Sequence, residues 1–161
     1  MARVLQKRPK IGDVIEIATP KGLAYAQYTH KHVKPPRWGY LIRVLPGLFH
    51  TRPTVFSELV RSEERFFVFF PLGAAVARDI VGIVAHEEIP ERVRPFPLMR
   101  ASGGIRDKTG RAMSWWLWNG ERDWKIGKLS PEQCKLLIQT IVNDVALVDM
   151  IVSGWSPEDD I

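Results

Sequence analysis

The sequence of 161 residues contains one cysteine and no long apolar run. A single thiol, that of Cys134, cannot form a disulfide within the chain, which is typical of proteins from a reducing compartment. No stretch approaches the ~18 consecutive apolar residues of a membrane-spanning helix. The basic start, residues 1–10, has no apolar segment of signal-peptide length before Pro9. These absences predict a cytoplasmic protein with no membrane partner.

Motifs for enzyme chemistry are also missing from the sequence. It has no Gly-x-Ser-x-Gly nucleophile turn and no glycine-rich phosphate-binding loop. Cys134 lies on the inward face of a predicted helix, where a cysteine is usually an inert hydrophobic residue. We therefore predict no catalytic residue, no cofactor and no enzymatic activity.

Histidine, the commonest metal ligand, is scarce. The four histidines are His30, His32, His50 and His86. On a strand, the side chains of His30 and His32 would point to the same side and could reach one metal ion. A catalytic metal needs a third protein ligand, and the spacing of the other histidines does not identify one. We therefore predict no metal site.

The composition predicts a folded single domain over residues 1–161. Hydrophobic residues make up 45% and charged residues 25%, close to the globular average. Residues 1–9 are expected to be an N-terminal extension, residues 10–128 mainly β, residues 130–154 helical and residues 155–161 a frayed acidic tail. The predicted fold is α+β and mainly antiparallel, with a curled SH3-like sheet or partial barrel and one or two C-terminal helices.

Local patterns place the predicted strands. Residues 14–17 and 23–29 flank a Pro-Lys-Gly turn and predict a hairpin. Strands are predicted at 39–45, at 65–71 with both faces buried, at 80–86 with a bulge or a close backbone approach at Gly82, and at 112–118 turning at Asn119-Gly120 into 123–127. Residues 54–60 fit a strand or a short helix, residues 76–78 could pair beside 65–71, and residues 100–111 are predicted to be a loop.

Capping residues and apolar spacing predict the C-terminal helical region. Ser130, Pro131 and Gln133 form a helix start with a capping box. Apolar residues then recur at helical spacing until Ser153-Gly154. Asn143-Asp144 could cap a second helix, so a break is expected there.

Charge and tryptophan are distributed unevenly. Residues 1–80 hold 13 Lys and Arg against 6 Asp and Glu, whereas residues 81–161 hold 10 against 12. Four of the six tryptophans lie between residues 115 and 124. Exposed tryptophan near arginine is a usual anchor of protein interfaces, and it also stacks on unpaired bases. The predicted partner-binding residues are Lys34, Arg37, Trp38, Trp116 and Trp118. A protein partner is the first interpretation, and a small basic β-barrel that binds nucleic acid is the alternative.

Three groups of segments, taken in order, resemble a known family. They are residues 10–14 with 25–28; residues 66–69 with 81–82 and 95–96; and residues 116–120 with 127–129, 143–144 and 153–157. Their order over residues 10–157 resembles the immunity protein 26 family of bacterial polymorphic toxin systems. The resemblance implies a toxin domain as the protein partner, with no cofactor and no catalysis. Because residues 1–80 are basic, we expect an acidic contact surface on that partner, or contact through the acidic residues of the second half.

Overall fold

In the computed structural model, which describes residues 8–160, nine strands form two sheets. The strands of the first sheet are β1 (Asp13–Thr19), β2 (Gly22–His32), β3 (Gly39–Val44), β4 (Phe66–Phe69) and β5 (Gly82–His86). Their spatial order is β4-β3-β2-β1-β5, and each neighbouring pair is antiparallel. The predicted extension 1–9 lies outside the described residues except for Arg8 and Pro9.

The β1–β2 hairpin forms as its sequence pattern predicts. Thr19 pairs with Gly22 at the turn, and Gly22 adopts a φ of 131°. A Cβ at this position would lie 2.9 Å from the carbonyl oxygen of Phe49, so only glycine fits the turn. The register places Val14 opposite Gln27 and continues without a break to the turn.

The second sheet contains the tryptophan-rich strand. Its strands are β6 (Met99–Ser102), β7 (Trp115–Trp118), β8 (Asp123–Gly127) and β9 (Leu137–Ile138), in the order β8-β7-β6-β9. The β7–β8 hairpin turns at residues 119–122, as predicted. β9 is parallel to β6, and the other pairs are antiparallel. The two sheets do not close into a barrel, so the fold is α+β with mostly antiparallel strands.

Three helices and the second sheet cover the two faces of the first sheet. The helices are α1 (Ser57–Arg61), α2 (Leu72–Ala77) and α3 (Asp144–Ser153). Phe66 and Val68 of β4 pack in a cluster with residues of α2 and α3, whereas Phe67 and Phe69 pack with Met99 and Trp118 of the second sheet. Every residue of β4 is therefore buried, which confirms the prediction for residues 65–71.

Several sequence predictions are wrong in the central part of the chain. Residues 76–78 do not pair beside β4, because α2 follows β4 directly and folds over the first cluster. Residues 100–111 are not entirely a loop, since Arg100, Ala101 and Ser102 pair with β7. For residues 54–60 the sequence fits a strand or a short helix, and the helix is correct, because α1 begins at Ser57. Neither alternative predicted for Gly82 is found: the β1–β5 register shifts between Val14 and Ile15, which leaves Val84 as the bulged residue, and no atom lies within 4 Å of a Cβ at Gly82.

The prediction that residues 130–154 are helical is only partly correct. The Ser130–Gln133 capping box exists, with hydrogen bonds of 2.8 and 3.2 Å, but only a 3-10 turn (Gln133–Lys135) follows. The chain then extends into β9, and the true helix α3 begins after Asn143, whose Oδ1 accepts from the Ala146 N–H. The expected break at Asn143-Asp144 is therefore correct.

Residues 155–160 of the acidic tail are packed rather than frayed, and residue 161 lies outside the described residues. Trp155 contacts Phe66 edge to face at 5.2 Å, and Pro157 is buried. The guanidinium of Arg100 reaches the tail, donating to the carbonyl of Asp160 at 2.6 Å and to that of Pro157. The tail therefore packs against β6 of the second sheet through Arg100.

Candidate functional site

The predicted basic loop meets the turn of the β7–β8 hairpin. His32, at the end of β2, lies between them: its Nε2 is 2.8 Å from the Gly120 carbonyl oxygen. The Trp38 N–H donates to Nδ1 of the same ring at 3.4 Å. Since Nδ1 accepts, Nε2 carries the hydrogen and donates to Gly120. One imidazole therefore joins the loop of the first sheet to the turn of the second.

Aromatic rings form the floor beneath this junction. The Trp118 ring is 4.9 Å from His32, 5.9 Å from Trp38 and 5.5 Å from Phe96. Trp38 also packs on Phe69 at 5.5 Å. Such edge-to-face and tilted pairs stabilise packing beyond the area that they bury. The floor is therefore continuous with the core between the sheets.

The hairpin turn is shaped by two residues. The Asn119 Oδ1 accepts from the N–H groups of Glu121 and Arg122 at 2.9 and 2.8 Å. Gly120 has a φ of 94°, and a Cβ there would lie 2.9 Å from the Phe96 ring. Only glycine allows the turn to approach Phe96 in this conformation.

Charges of both signs stand on the rim. Lys34 Nζ donates to Glu121 Oε1 at 2.9 Å, and both side chains are about two-thirds exposed. The hydrogen bond from Lys34, helped by its charge, lowers the pKa of Glu121. Arg37 is exposed nearby in the sequence, and Asp123 begins β8. We call residues 33–37 together with 119–122 the platform.

A cleft opens beside the platform. It has a volume of about 410 Å³, and its lining includes His32, Lys34, Trp38, Trp118, Glu121 and Asp123. This size is at the small end of ligand pockets, and its mouth is bounded by both platform segments. The cleft offers aromatic surface at its base and paired charges at its rim.

Three of the five predicted partner-binding residues, Lys34, Trp38 and Trp118, line the cleft. Lys34 and Arg37 belong to the platform, and Trp38 lies half-buried beside it. Trp118 lines the cleft but is only 7% exposed, so it is a core residue that forms the floor. Trp116 is placed apart from this cleft: its ring lies under Lys125 Nζ at 5.4 Å and against Gly103.

Sequence reasoning missed three residues of the site. The sequence indicates His32 as a possible metal ligand or a solvent-facing loop residue, and it places Glu121 and Asp123 only at the predicted turn and returning strand. The Asn-Gly turn signal located the hairpin, but no local pattern shows that this turn contacts a loop 87 positions earlier in the chain. The contact depends on how the two sheets pack.

Both histidines of the H-x-H pair contact backbone carbonyl oxygens. The register of β2 against β3 shifts between Tyr28 and His30. His30 Nε2 lies 2.8 Å from the Arg94 carbonyl oxygen, while His32 bonds to Gly120. Among residues 8–160, no group of three His, Cys, Asp or Glu side chains could hold a metal ion.

A second cavity lies at the outer strand of the first sheet. It has a volume of about 610 Å³ and is lined by Arg8, Lys10, Asp13 and residues 83–86 of β5. His86 Nδ1 is 2.8 Å from Asp13 Oδ1, and Asp13 Oδ2 accepts from the Lys10 N–H at 2.8 Å. Asp13 is thereby held in place by two elements.

The comparisons with known proteins found no match. No helix in the described part of the chain is long and apolar enough to cross a bilayer. No family model, no curated protein and no solved structure matches the sequence or the fold. The resemblance to the immunity protein 26 family therefore stays a prediction from the sequence.

Proposed function

We propose that the protein is a non-enzymatic binder of another protein and that the platform is its contact surface. The observation that carries this proposal is the junction at His32, which holds residues 33–37 and 119–122 as one surface. A surface that is already ordered loses little conformational entropy when a partner binds. Val33, 58% exposed, and the exposed Pro35 and Pro36 add apolar area to it.

The charge pattern of the platform suits a protein partner. Glu121 pairs with Lys34, and Asp123 lines the same cleft, whereas Arg37 and Arg122 keep the platform net positive. A polyanion would meet the two carboxylates as well as the cations, and a protein surface can match both signs. Alternating charges around apolar area suit the polar rim of a protein interface. Contact can therefore use both the basic loop and acidic residues of the second half.

The proposed partner is a protein with an acidic patch opposite Lys34 and Arg37, such as a bacterial toxin domain. The toxin class comes from the family resemblance, and the platform's position is compatible with it. Binding alone would block such a partner, so this function requires no catalytic residue, metal or cofactor. We place this activity in the cytoplasm, in keeping with the single cysteine.

A charge-reversed variant tests the platform. The tagged full chain and its Lys34→Glu/Arg37→Glu variant are used to capture partners from nuclease-treated native lysate, read by mass spectrometry. The control variant, Lys21→Glu/Arg78→Glu, has the same change in charge at exposed positions on a hairpin turn and at the end of α2. Circular dichroism and thermal unfolding confirm that each variant folds.

We expect one stoichiometric protein with the wild type and the control, and its loss with the platform variant. A partner that both variants retain would place the contact surface elsewhere. Recovery of nucleic acid without a stoichiometric protein, decreasing as salt rises, would contradict the proposal and favour the nucleic-acid alternative.

A further inference from the structure

β5 is the outer strand of the first sheet. It pairs with β1 on one side, and in the part of the chain that the structure describes no strand pairs with its other side. An outer strand presents N–H and C=O groups that can pair with another extended chain. Proteins usually protect such an edge with lysine, proline, a bulge or a covering element. Residues 82–86 read Gly-Ile-Val-Ala-His and contain one bulge, at Val84.

Besides the backbone groups on its outer side, β5 presents apolar side chains. Ile83, Val84 and Ala85 are only half-buried, and they line the cavity of about 610 Å³. Two large apolar side chains stand at its ends: Ile80 is 42% exposed before β5, and Ile11 is 50% exposed near Gly12, whose carbonyl accepts from the Glu87 N–H. A Cβ at Gly82 would meet no atom within 4 Å, so the face of the sheet is open at this position.

The charge of the cavity selects among possible occupants. Two exposed cations, Arg8 and Lys10, outnumber the one lining carboxylate, Asp13, which is 6% exposed and already bonded to His86 and to the Lys10 N–H. The His86 side chain is 60% exposed, so its ring can contact a ligand at the same end. Carboxylates on an incoming chain would therefore be attracted at the end of β5 where His86 lies.

From these observations we infer that β5 binds an extended, acidic segment of a partner protein as an additional strand. Backbone hydrogen bonds along residues 82–86 give affinity, the apolar surface takes alternate side chains, and Arg8 and Lys10 pair with acidic residues. This site goes beyond the proposed function, because it lies on a different element from the platform and can be tested without the platform's partner.

Two peptides of opposite charge test this inference. The probes are fluorescein-labelled peptides of about nine residues, one of alternating Glu and Val and the other of alternating Lys and Val. Fluorescence anisotropy with the full chain measures their affinities. Amide hydrogen exchange, followed by NMR, reports protection along residues 82–86. The Arg8→Glu/Lys10→Glu variant tests the charges, with Lys21→Glu/Arg78→Glu as the matched control.

We expect the acidic peptide to bind at least about fivefold more tightly than the basic one, which corresponds to ~1 kcal/mol of surface charge interaction. Binding should slow exchange within β5, and the Arg8→Glu/Lys10→Glu variant should lose the charge preference while the control keeps it. Equal binding of both peptides, or binding without protection of β5, would overturn the inference. Self-association of the unliganded chain with protection of β5 would also overturn it, because a second copy would then occupy the edge.

Discussion

Each sheet buries one arginine completely, but the two guanidinium groups are compensated differently. Arg43 of β3 donates to Gln27 Oε1 at 3.0 and 2.9 Å and forms an ion pair with Glu64 at 3.1 Å. Arg100 of β6 has backbone carbonyls as its hydrogen-bond partners, with the Trp115 ring 4.4 Å from its Cζ. Burial lowers the pKa of both groups.

This difference shows how each sheet depends on the rest of the chain. The acceptors of Arg43 lie within the first sheet and the segment from α1 to β4. Its hydrogen bonds therefore need only residues 27–64 of the chain. The carbonyls around Arg100 belong to Cys134, Leu136, Pro157 and Asp160. The second sheet is therefore complete only when the C-terminal segment folds onto it.

The largest expected effect is at Arg100. Arg100→Met leaves one buried and three part-buried carbonyl oxygens without this donor, so we expect the free energy of unfolding to fall by at least ~3 kcal/mol. Urea unfolding measures this change, and hydrogen exchange should increase in residues 133–138 and in the tail. Arg106→Met is the control, because Arg106 pairs with the same Asp160 at the surface and should cost about 1 kcal/mol or less. Equal losses in the two variants would remove the distinction between the sheets.

The second-largest expected loss in the free energy of unfolding is at Glu64, whose carboxylate pairs with the buried Arg43. Burial acts to raise the pKa of Glu64, but hydrogen bonds and the charges of Arg92 and Arg43 outweigh it, and the pKa is lowered. A lowered pKa contributes stability that is present above the unfolded value of about 4.5 and is lost as pH falls through the folded value. Glu64→Gln should therefore cost about 2–3 kcal/mol at pH 7 and less at pH 3.

Urea unfolding between pH 3 and pH 7 measures this dependence. Glu88→Gln is the matched control, since Glu88 pairs with Arg94 in solvent and should change the profile little. A Glu64→Gln profile parallel to that of the wild type would show that Arg43 does not depend on the carboxylate.

The smallest expected loss in the free energy of unfolding is at Gly120, where the β7–β8 turn meets the Phe96 ring. Gly120→Ala should cost about 1–3 kcal/mol, because its Cβ meets the Phe96 ring at 2.9 Å in addition to the positive φ. Gly104→Ala has a similar φ of 79° but no atom within 4 Å, so it measures the backbone strain alone. Thermal unfolding of both variants separates the two contributions. Identical losses would mean that the turn can move away from Phe96 without cost.

Local signals predicted the elements whose cause is local. The turn at residues 20–22 and the Asn119-Gly120 turn require glycine for backbone reasons, and the hairpins follow from them. Asn143 caps α3 through its own side chain. Where the prediction was wrong, at residues 130–142, the helical spacing and capping box were real, but pairing of β9 with β6 replaced the helix.

For the candidate site, the sequence identified the basic loop and the tryptophan hairpin, but not their junction. Lys34, Arg37 and Trp38 were selected by charge and aromatic character, which local reading can detect. His32 and Glu121 acquire their roles from residues 88 and 87 positions away. The same limit applies to Trp118, whose burial depends on Met99, Phe69 and Trp38 rather than on its neighbours in β7.

The amino-acid sequence by itself determined the α+β class, the two hairpins, the doubly buried strand β4 and the cap of α3, because glycine φ values, alternation of apolar residues and capping act over a few residues. Only the tertiary structure decided which faces meet, how Arg43 and Arg100 are compensated, where the tail packs and that the platform and the β5 edge exist. Those features depend on contacts between residues far apart in the chain, where the stability gained by burial and hydrogen bonding outweighs local preference.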